Sequence, residues 1–203
     1  MTAPAATPAA GTGGIHCATY RHGATCVRVL ACALQPAPTR RLAEIEAVER
    51  LLAAALPGGF TLAHDADGAP RLLTEGAPAI SVSHSRTHAA VALAPCGVAV
   101  GIDIETPREQ LHRVAPRVLS PDELAACADG DMDALLRAWT LKEALYKAAR
   151  VAGADFRRHI HLPLGHKKNE ATVATPCGAA KRFVVLHAGP WLGGGAMALV
   201  VSP

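Results

Sequence analysis

The sequence predicts an α+β protein, and three observations carry that reading. A helix-spaced apolar run follows Pro38-Thr39-Arg40, a second helical pattern covers roughly Met132 to Val151, and short β-compatible runs bounded by Gly, Pro or Asn lie around both. The order is strands with one helix, then helices with strands, which suggests two similar α+β halves, although no sequence repeat shows a duplication directly. The expected division is a flexible tail over 1–14, an N-terminal half over 15–100 and a C-terminal half over 101–203.

The elements follow in chain order. Gly14 to Leu34 holds β-compatible segments around Cys26-Val-Arg-Val-Leu30. Leu42, Ile45, Val48, Leu52 and Leu56 then recur at helical spacing until Pro57-Gly58-Gly59 ends the run. Strands are expected at Phe60–His64, Ile80–Ser83, Ala89–Ala94 and Val98–Glu105, with turn signals at Asp67-Gly68 and Pro95-Cys96-Gly97. Ser120-Pro121-Asp122-Glu123 reads as a capping box, with Ser at the cap, Pro at the first helical position and Glu three residues on. Beyond Gly153, strands are expected at Ile160–Leu164, Ala171–Thr175, Arg182–His187 and Ala196–Val201.

Composition bounds the function. The 203 residues are 50% hydrophobic and 18% charged, enough to bury a core in one domain or two small ones. A net charge of +3 permits an acidic partner or a phosphate ligand but lies far from the strongly basic profile of a nucleic-acid binder. The six cysteines, Cys17, Cys26, Cys32, Cys96, Cys127 and Cys177, form no C-x-x-C pair, so reduced thiols in a cytoplasm are expected and a zinc ribbon is not. The first fourteen residues lack the basic start and apolar centre of a secretory signal. The two uncharged stretches, Ala89 to Ile102 and Phe183 to Pro203, are too short or too broken by Gly, Pro and His to span a membrane.

Chemistry concentrates in three places. Residues 100–105 read V-G-I-D-I-E, so in a strand Asp103 and Glu105 project from one face while Ile102 and Ile104 face the core. Two like charges about 6–7 Å apart repel unless a cation neutralises them, and Mg²⁺ typically takes one or two protein carboxylates together with waters and substrate phosphate oxygens. A strand end emerging into solvent is the plainer alternative. The second place is W-T-L-K-E-A-L-Y-K, Trp139 to Lys147, where Trp139, Glu143, Tyr146 and Lys147 share one side of a helix and Lys142 sits beside Glu143. Glu143 and Lys147 can be a surface pair worth a few tenths of a kcal/mol, or a third carboxylate with ammonium groups for a phosphate. The third is Ser81-Val-Ser-His-Ser85, where hydroxyls, backbone N–H groups and the His84 imidazole end a strand. His159, His161 and His166 have unremarkable spacing and make no second metal site.

Taken together, S-H-S (Ser83 to Ser85), G-I-D-I-E (Gly101 to Glu105), L-S-P-D-E (Leu119 to Glu123) and W-T-L-K-E-A-L-Y-K resemble the ordered signatures of the 4′-phosphopantetheinyl transferase superfamily, in its Sfp-like branch. The resemblance extends loosely over about residues 15–203, and the N-terminal third matches poorly. It implies a monomeric pseudo-dimer of two α+β halves with coenzyme A bound in the cleft between them. Carried over by position, Asp103, Glu105 and Glu143 would hold Mg²⁺ with the coenzyme A pyrophosphate. The implied reaction is attack by a serine hydroxyl of an apo acyl or peptidyl carrier protein on the β-phosphate of coenzyme A, giving holo-carrier and 3′,5′-ADP. Glu143 is the candidate base with Glu105 as the competing assignment, and Lys147 would stabilise charge on the bridging or departing phosphate oxygens.

Other coenzyme A contacts follow from the same resemblance: Ser83 and His84 at its phosphates with Lys142 nearby, and Arg40 or Arg41 at the nucleotide phosphate. Gly68-Ala69-Pro70-Arg71 resembles the family's glycine–basic–proline turn with Ala69 where a basic residue is usual, and Arg71 can substitute. Ala148-Ala149-Arg150 stands where glycines often follow Lys147, which reads as one more helical turn. Arg113, Arg117, Arg157 and Arg158 are candidates for meeting the acidic helix of a carrier from fatty-acid, polyketide or peptide synthesis. The rival readings are another Mg²⁺-dependent phosphoryl or nucleotidyl transferase, for which no Walker-type loop is present, and a coenzyme A or carrier-protein binding module without turnover. A glycosidase is weaker, since only 3% of residues are aromatic.

Overall fold

The computed structural model describes residues 9–10, 14–127, 131–163, 169–175 and 177–203. The chain divides into two compact units, Met1–Val100 and Gly101–Pro203, and both mix sheets with helices as an α+β protein should.

In the first unit the order is β1 (Ala9–Ala10), β2 (Ile15–His22), β3 (Thr25–Ala33), α1 (Arg40–Ala55), β4 (Leu62–His64), β5 (Pro70–Leu72), β6 (Ala79–His84) and β7 (His88–Ala94). Five of the strands form an antiparallel sheet in the order β1-β2-β3-β7-β6, and β4 with β5 makes a separate hairpin that pairs His64 with Pro70. Within the segment expected as a tail, Ala9 and Ala10 pair with Cys17 and His16, and the rest of 1–13 lies outside the described residues.

α1 starts where its cap predicts. The Thr39 hydroxyl accepts from the Leu42 N–H at 3.2 Å, satisfying one of the N–H groups that a helix start leaves without a partner. Its buried face keeps Val48 and Leu52 of the expected stripe, with Leu56 packed on the core, and adds Ala43, Ala47, Leu51 and Ala55, while Leu42 and Ile45 remain 37% and 43% exposed. Alanines on the inner face let the helix lie close to the sheet, where Leu51 and Leu52 pack with Leu30, Val91 and Leu93. The Pro70–Leu72 strand, expected as part of a turn, pairs instead with Leu62–His64.

The second unit takes up β8 (Val100–Glu105) and continues with α2 (Gln110–Val118), α3 (Pro121–Ala125), α4 (Met132–Ala149), α5 (Phe156–His159), β9 (Ile160–His161), β10 (Glu170–Ala174), β11 (Ala180–Trp191) and β12 (Gly195–Val201). The sheet order is β8-β12-β11-β10-β9, with antiparallel pairing of β12 with β11, β11 with β10 and β10 with β9. Helical structure begins already at Gln110, ahead of the Ser120 signal. α2 buries only Leu111 and Ala115 and contains Pro116, so it offers too short and too interrupted an apolar stripe to be read from periodicity.

The capping box at Ser120 is complete. The Ser120 hydroxyl accepts from the Glu123 N–H at 3.2 Å and Glu123 accepts from the Ser120 N–H at 2.8 Å. α4 is capped by Asp131, packs along β12, and ends at Ala149 with Arg150 in the left-handed region at φ 47°. Gly101 makes this packing possible, because a Cβ at that position would collide with the Ala144 carbonyl and with Ala148. The glycine in G-I-D-I-E thus brings α4 against the strand that carries the acids. The Leu164 end of the expected Ile160–Leu164 strand lies outside the described residues.

Candidate active site

β8 puts its apolar residues where period-two alternation requires. Ile102 and Ile104 are fully buried, Asp103 is 7% exposed and Glu105 is half-buried at the strand end. Both acids meet cations. Lys147 Nζ donates to Asp103 Oδ1 at 2.8 Å and to the Ile102 carbonyl at 3.2 Å. Arg108, three residues beyond the strand, places its guanidinium 3.0 Å from Glu105 Oε2, while Glu105 Oε1 accepts from the Thr106 N–H at 3.0 Å.

Glu143 lies one turn before Lys147 on α4 and shares this charge field. Burial first, and then the Asp103 carboxylate, push its carboxyl from 4.5 up to about 7; Lys147 opposes the rise, Glu105 adds to it and Arg108 opposes it. Three acids and two cations, taken from a strand, the loop after it and one helix face, therefore act on one another. A carboxyl titrating near neutrality in such a cluster is the kind of group that can accept a proton at physiological pH.

Lys142 has a different place from the one expected. Instead of standing free for a phosphate, its side chain is 0% exposed and lies 2.7 Å from Glu123 Oε2. It also donates to the carbonyls of Phe156 at 2.8 Å and Ile160 at 2.6 Å. The three N–H donors of the ammonium are used inside the protein, so Lys142 is corrected from a ligand contact to an interior ion pair. One turn either way from Lys142, Tyr146 and Trp139 meet the Phe156 ring of α5: Phe156 stacks on Tyr146 with centroids 5.1 Å apart and on Trp139 at 6.4 Å, and Arg108 lies 5.5 Å over the Trp139 ring.

The remaining expected residues belong to the first unit. Arg40 pairs with Glu44 at 2.7 Å and donates to the Ser85 carbonyl at 3.0 Å, and Glu44 approaches His84 Nδ1 at 3.9 Å. Arg40 and the exposed His84 are therefore gathered around one carboxylate. Arg41 is exposed and makes no hydrogen bond or ion pair among the described residues. Ser83 is 2% exposed, so its hydroxyl is enclosed in protein rather than presented to a ligand. Arg71 extends from β5 to Asp65 at 2.8 Å.

Comparison with known families fits the segment that carries the acids. Residues 99–188 match the 4′-phosphopantetheinyl transferase superfamily. The match spans under half of the chain and includes Asp103, Glu105, Glu143 and Lys147. No curated protein matches the chain. Phosphopantetheine transfer is the class of chemistry that the superfamily match implies for this segment.

Transferases of this superfamily generally use coenzyme A and Mg²⁺. The donor chemistry here suits such an ion: three carboxylates, all hard oxygen ligands, with the Asp103 and Glu105 charges adding to burial in raising the Glu143 carboxyl. Their arrangement serves Lys147 and Arg108, and among the described residues no three His, Cys, Asp or Glu groups are gathered into a ready metal cage. The expected convergence of the three acids on one point is thus a convergence in charge, with two protein cations on the carboxylates.

Arg108 is the site residue that sequence reasoning missed. Its one signal was a cation three residues after Glu105, which any surface loop supplies. Its Nε is buried without a hydrogen bond among the described residues. His159 Nδ1 accepts from the Asp155 N–H at 2.8 Å, which makes it part of the α5 cap, and His166 lies outside the described residues.

Proposed function

We propose that this protein is a Mg²⁺-dependent holo-carrier-protein synthase that moves 4′-phosphopantetheine from coenzyme A to a serine of an apo acyl or peptidyl carrier protein. The observation that carries this reading is the β8–α4 charge cluster: Asp103 held by Lys147, Glu105 held by Arg108, and Glu143 in the field of all four, half-buried, with a carboxyl near 7. It lies inside the segment that matches the superfamily.

The serine oxygen attacks the β-phosphorus of coenzyme A, the bond from that phosphorus to the bridging oxygen breaks, and 3′,5′-ADP departs. Glu143 takes the serine proton. Glu143 is assigned this role over Glu105 because the Glu105 carboxylate is already engaged by the Arg108 guanidinium. Lys147 exchanges Asp103 for phosphate oxygens as negative charge shifts toward the leaving group. Asp103, Glu105 and Glu143 would hold the Mg²⁺, which when bound neutralises and orients the diphosphate.

His84 with Arg40 is the assigned phosphate-binding pair of the first unit, and Arg71 is a further candidate. Each unit by itself sets one long helix on a five-stranded sheet, the internal likeness that a monomeric pseudo-dimer requires. The carrier's acidic surface is assigned to Arg113 and Arg117 of α2 and Arg157 and Arg158 of α5, since Arg157 reaches the Pro116 carbonyl at the end of α2. A cytoplasmic location belongs to the same reading; among the described residues no helix is long and apolar enough to cross a membrane.

Incubation with coenzyme A, Mg²⁺ and a panel of apo-carriers should add the mass of one phosphopantetheine group to at least one of them. Glu143→Gln should lower the rate roughly 10²- to 10⁴-fold, the usual contribution of a positioned base. Carriers that all stay unmodified with the wild-type protein, read by intact mass, overturn the assignment. Coenzyme A binding without transfer would make the protein a binding module instead.

A further inference from the structure

The transfer chemistry above leaves one buried ion pair unused. Lys142 comes from the middle of α4 and Glu123 from the first turn of α3, with side chains 0% and 3% exposed and 2.7 Å between Nζ and Oε2. Both are surrounded by backbone partners. Lys142 donates to the Phe156 and Ile160 carbonyls, while Glu123 accepts from the Ser120 N–H at 2.8 Å and the Leu162 N–H at 2.9 Å. The pair therefore joins the start of α3, the middle of α4, the start of α5 and both sides of β9. Stability alone is a weak reason for such a pair, because desolvation rivals the Coulomb attraction and apolar residues of similar volume often serve as well. Four directional bonds to backbone atoms specify a geometry.

That geometry reaches the acid cluster through Phe156. Lys142 holds its carbonyl, and its ring stacks on Tyr146 and Trp139, which lie on either side of Glu143 along α4. Trp139 in turn lies under the Arg108 guanidinium, and Arg108 pairs with Glu105. Every link from Glu123 to Glu105 is a direct contact, and the two ends are an interior pair and a site carboxylate.

We propose that the Glu123–Lys142 pair is a positioning device for the transfer site, pinning the Phe156 backbone so that the aromatic stack aims Arg108 at Glu105. The proposal rests on the α4 face being the transfer site. Lys142 and Glu123 are positioning residues and touch no reacting atom. A coupling path of this kind is established by perturbing its ends and its middle separately.

The variant E123L/K142M removes both charges while keeping apolar volume, and F156L keeps the pair but removes the ring. In the double variant the melting temperature should stay within a few degrees of wild type. Both variants should lose about 10- to 100-fold in kcat, the effect of a small misplacement, with coenzyme A affinity unchanged. In a W191F background, which leaves Trp139 as the one tryptophan, its emission should shift in both variants relative to the parent.

Wild-type kcat and unaltered Trp139 emission in the two variants overturn the proposal. Weakened coenzyme A binding with kcat intact also overturns it, and returns Lys142 to a ligand contact. If the double variant fails to fold, F156L decides by the same two readouts. Should the parent protein transfer nothing to any carrier, the transferase reading falls, and Trp139 emission alone decides whether the pair sets the stack.

Discussion

The two sides of α4 hold their lysines in opposite ways. Lys142 faces the interior, fully enclosed, with a carboxylate and two carbonyls around it; Lys147, five residues later, is 29% exposed and shares Asp103 with the rim of the acid cluster. Both are lysine–carboxylate pairs of nearly equal length, 2.7 and 2.8 Å. The difference lies in what each can give up. A buried pair cannot lose a partner without leaving an uncompensated charge, whereas a half-exposed ammonium can trade a carboxylate for a phosphate or for water. On the proposed reading, the interior side holds a geometry and the outer side exchanges ligands.

Removing each lysine sharpens that contrast. Lys142→Met should cost about 3–5 kcal/mol in denaturant unfolding, because Glu123 then stays buried without its cation. Lys147→Met should cost less, about 1.5–3 kcal/mol, the scale of a charge-assisted hydrogen bond, because the space that the 29% exposed Lys147 leaves beside Asp103 opens to water. Equal losses would show that the two sides do not differ as described.

Glu143 is the next lever. Its folded-state pKa near 7 lies above the ordinary 4.5, so between those values the folded protein binds more protons than the unfolded chain. In protein free of divalent cation, its contribution is fully present below about pH 4.5 and is lost as pH rises through about 7, a fall on the order of 3 kcal/mol. Glu143→Gln should remove that falling step from a plot of unfolding free energy against pH. Parallel plots for the two proteins would mean that the cluster does not raise this carboxyl.

The smallest change tests the interior side from its edge. Ser120→Ala removes the hydroxyl that accepts from the Glu123 N–H and should cost about 1 kcal/mol, the value of one helix cap. Because Lys142 and Leu162 still hold the Glu123 carboxylate, transfer should be unchanged. A loss of transfer without loss of stability would extend the positioning network to the cap itself.

Much of the local structure could be read from the chain. Thr39 and Ser120 cap their helices as their residue types suggest, and the alternation in V-G-I-D-I-E buries Ile102 and Ile104. These follow from short-range geometry, in which a residue's neighbours along the chain decide the outcome. Where the signal was weak the reading failed: α2 has only two buried positions and an internal proline, and β5 is a three-residue strand beginning at Pro70.

The site divides in the same way. Asp103 and Glu105 two apart on a strand, and Glu143 and Lys147 four apart on a helix, are relations that backbone periodicity alone establishes. Which cation meets which acid is another matter. Lys142 meets Glu123 because α3, the start of α5 and β9 close over that part of α4, and Arg108 lies between the Trp139 ring and Glu105. The sequence by itself determined the caps, the strand alternation and the acids that share a face, since these depend on spacing along the backbone. Tertiary structure alone decided which lysine is enclosed, which face of α1 is buried and which arginine joins the cluster. Those outcomes depend on how helix and sheet surfaces pack across long separations in the chain, where burial rather than residue type assigns each charge its partner.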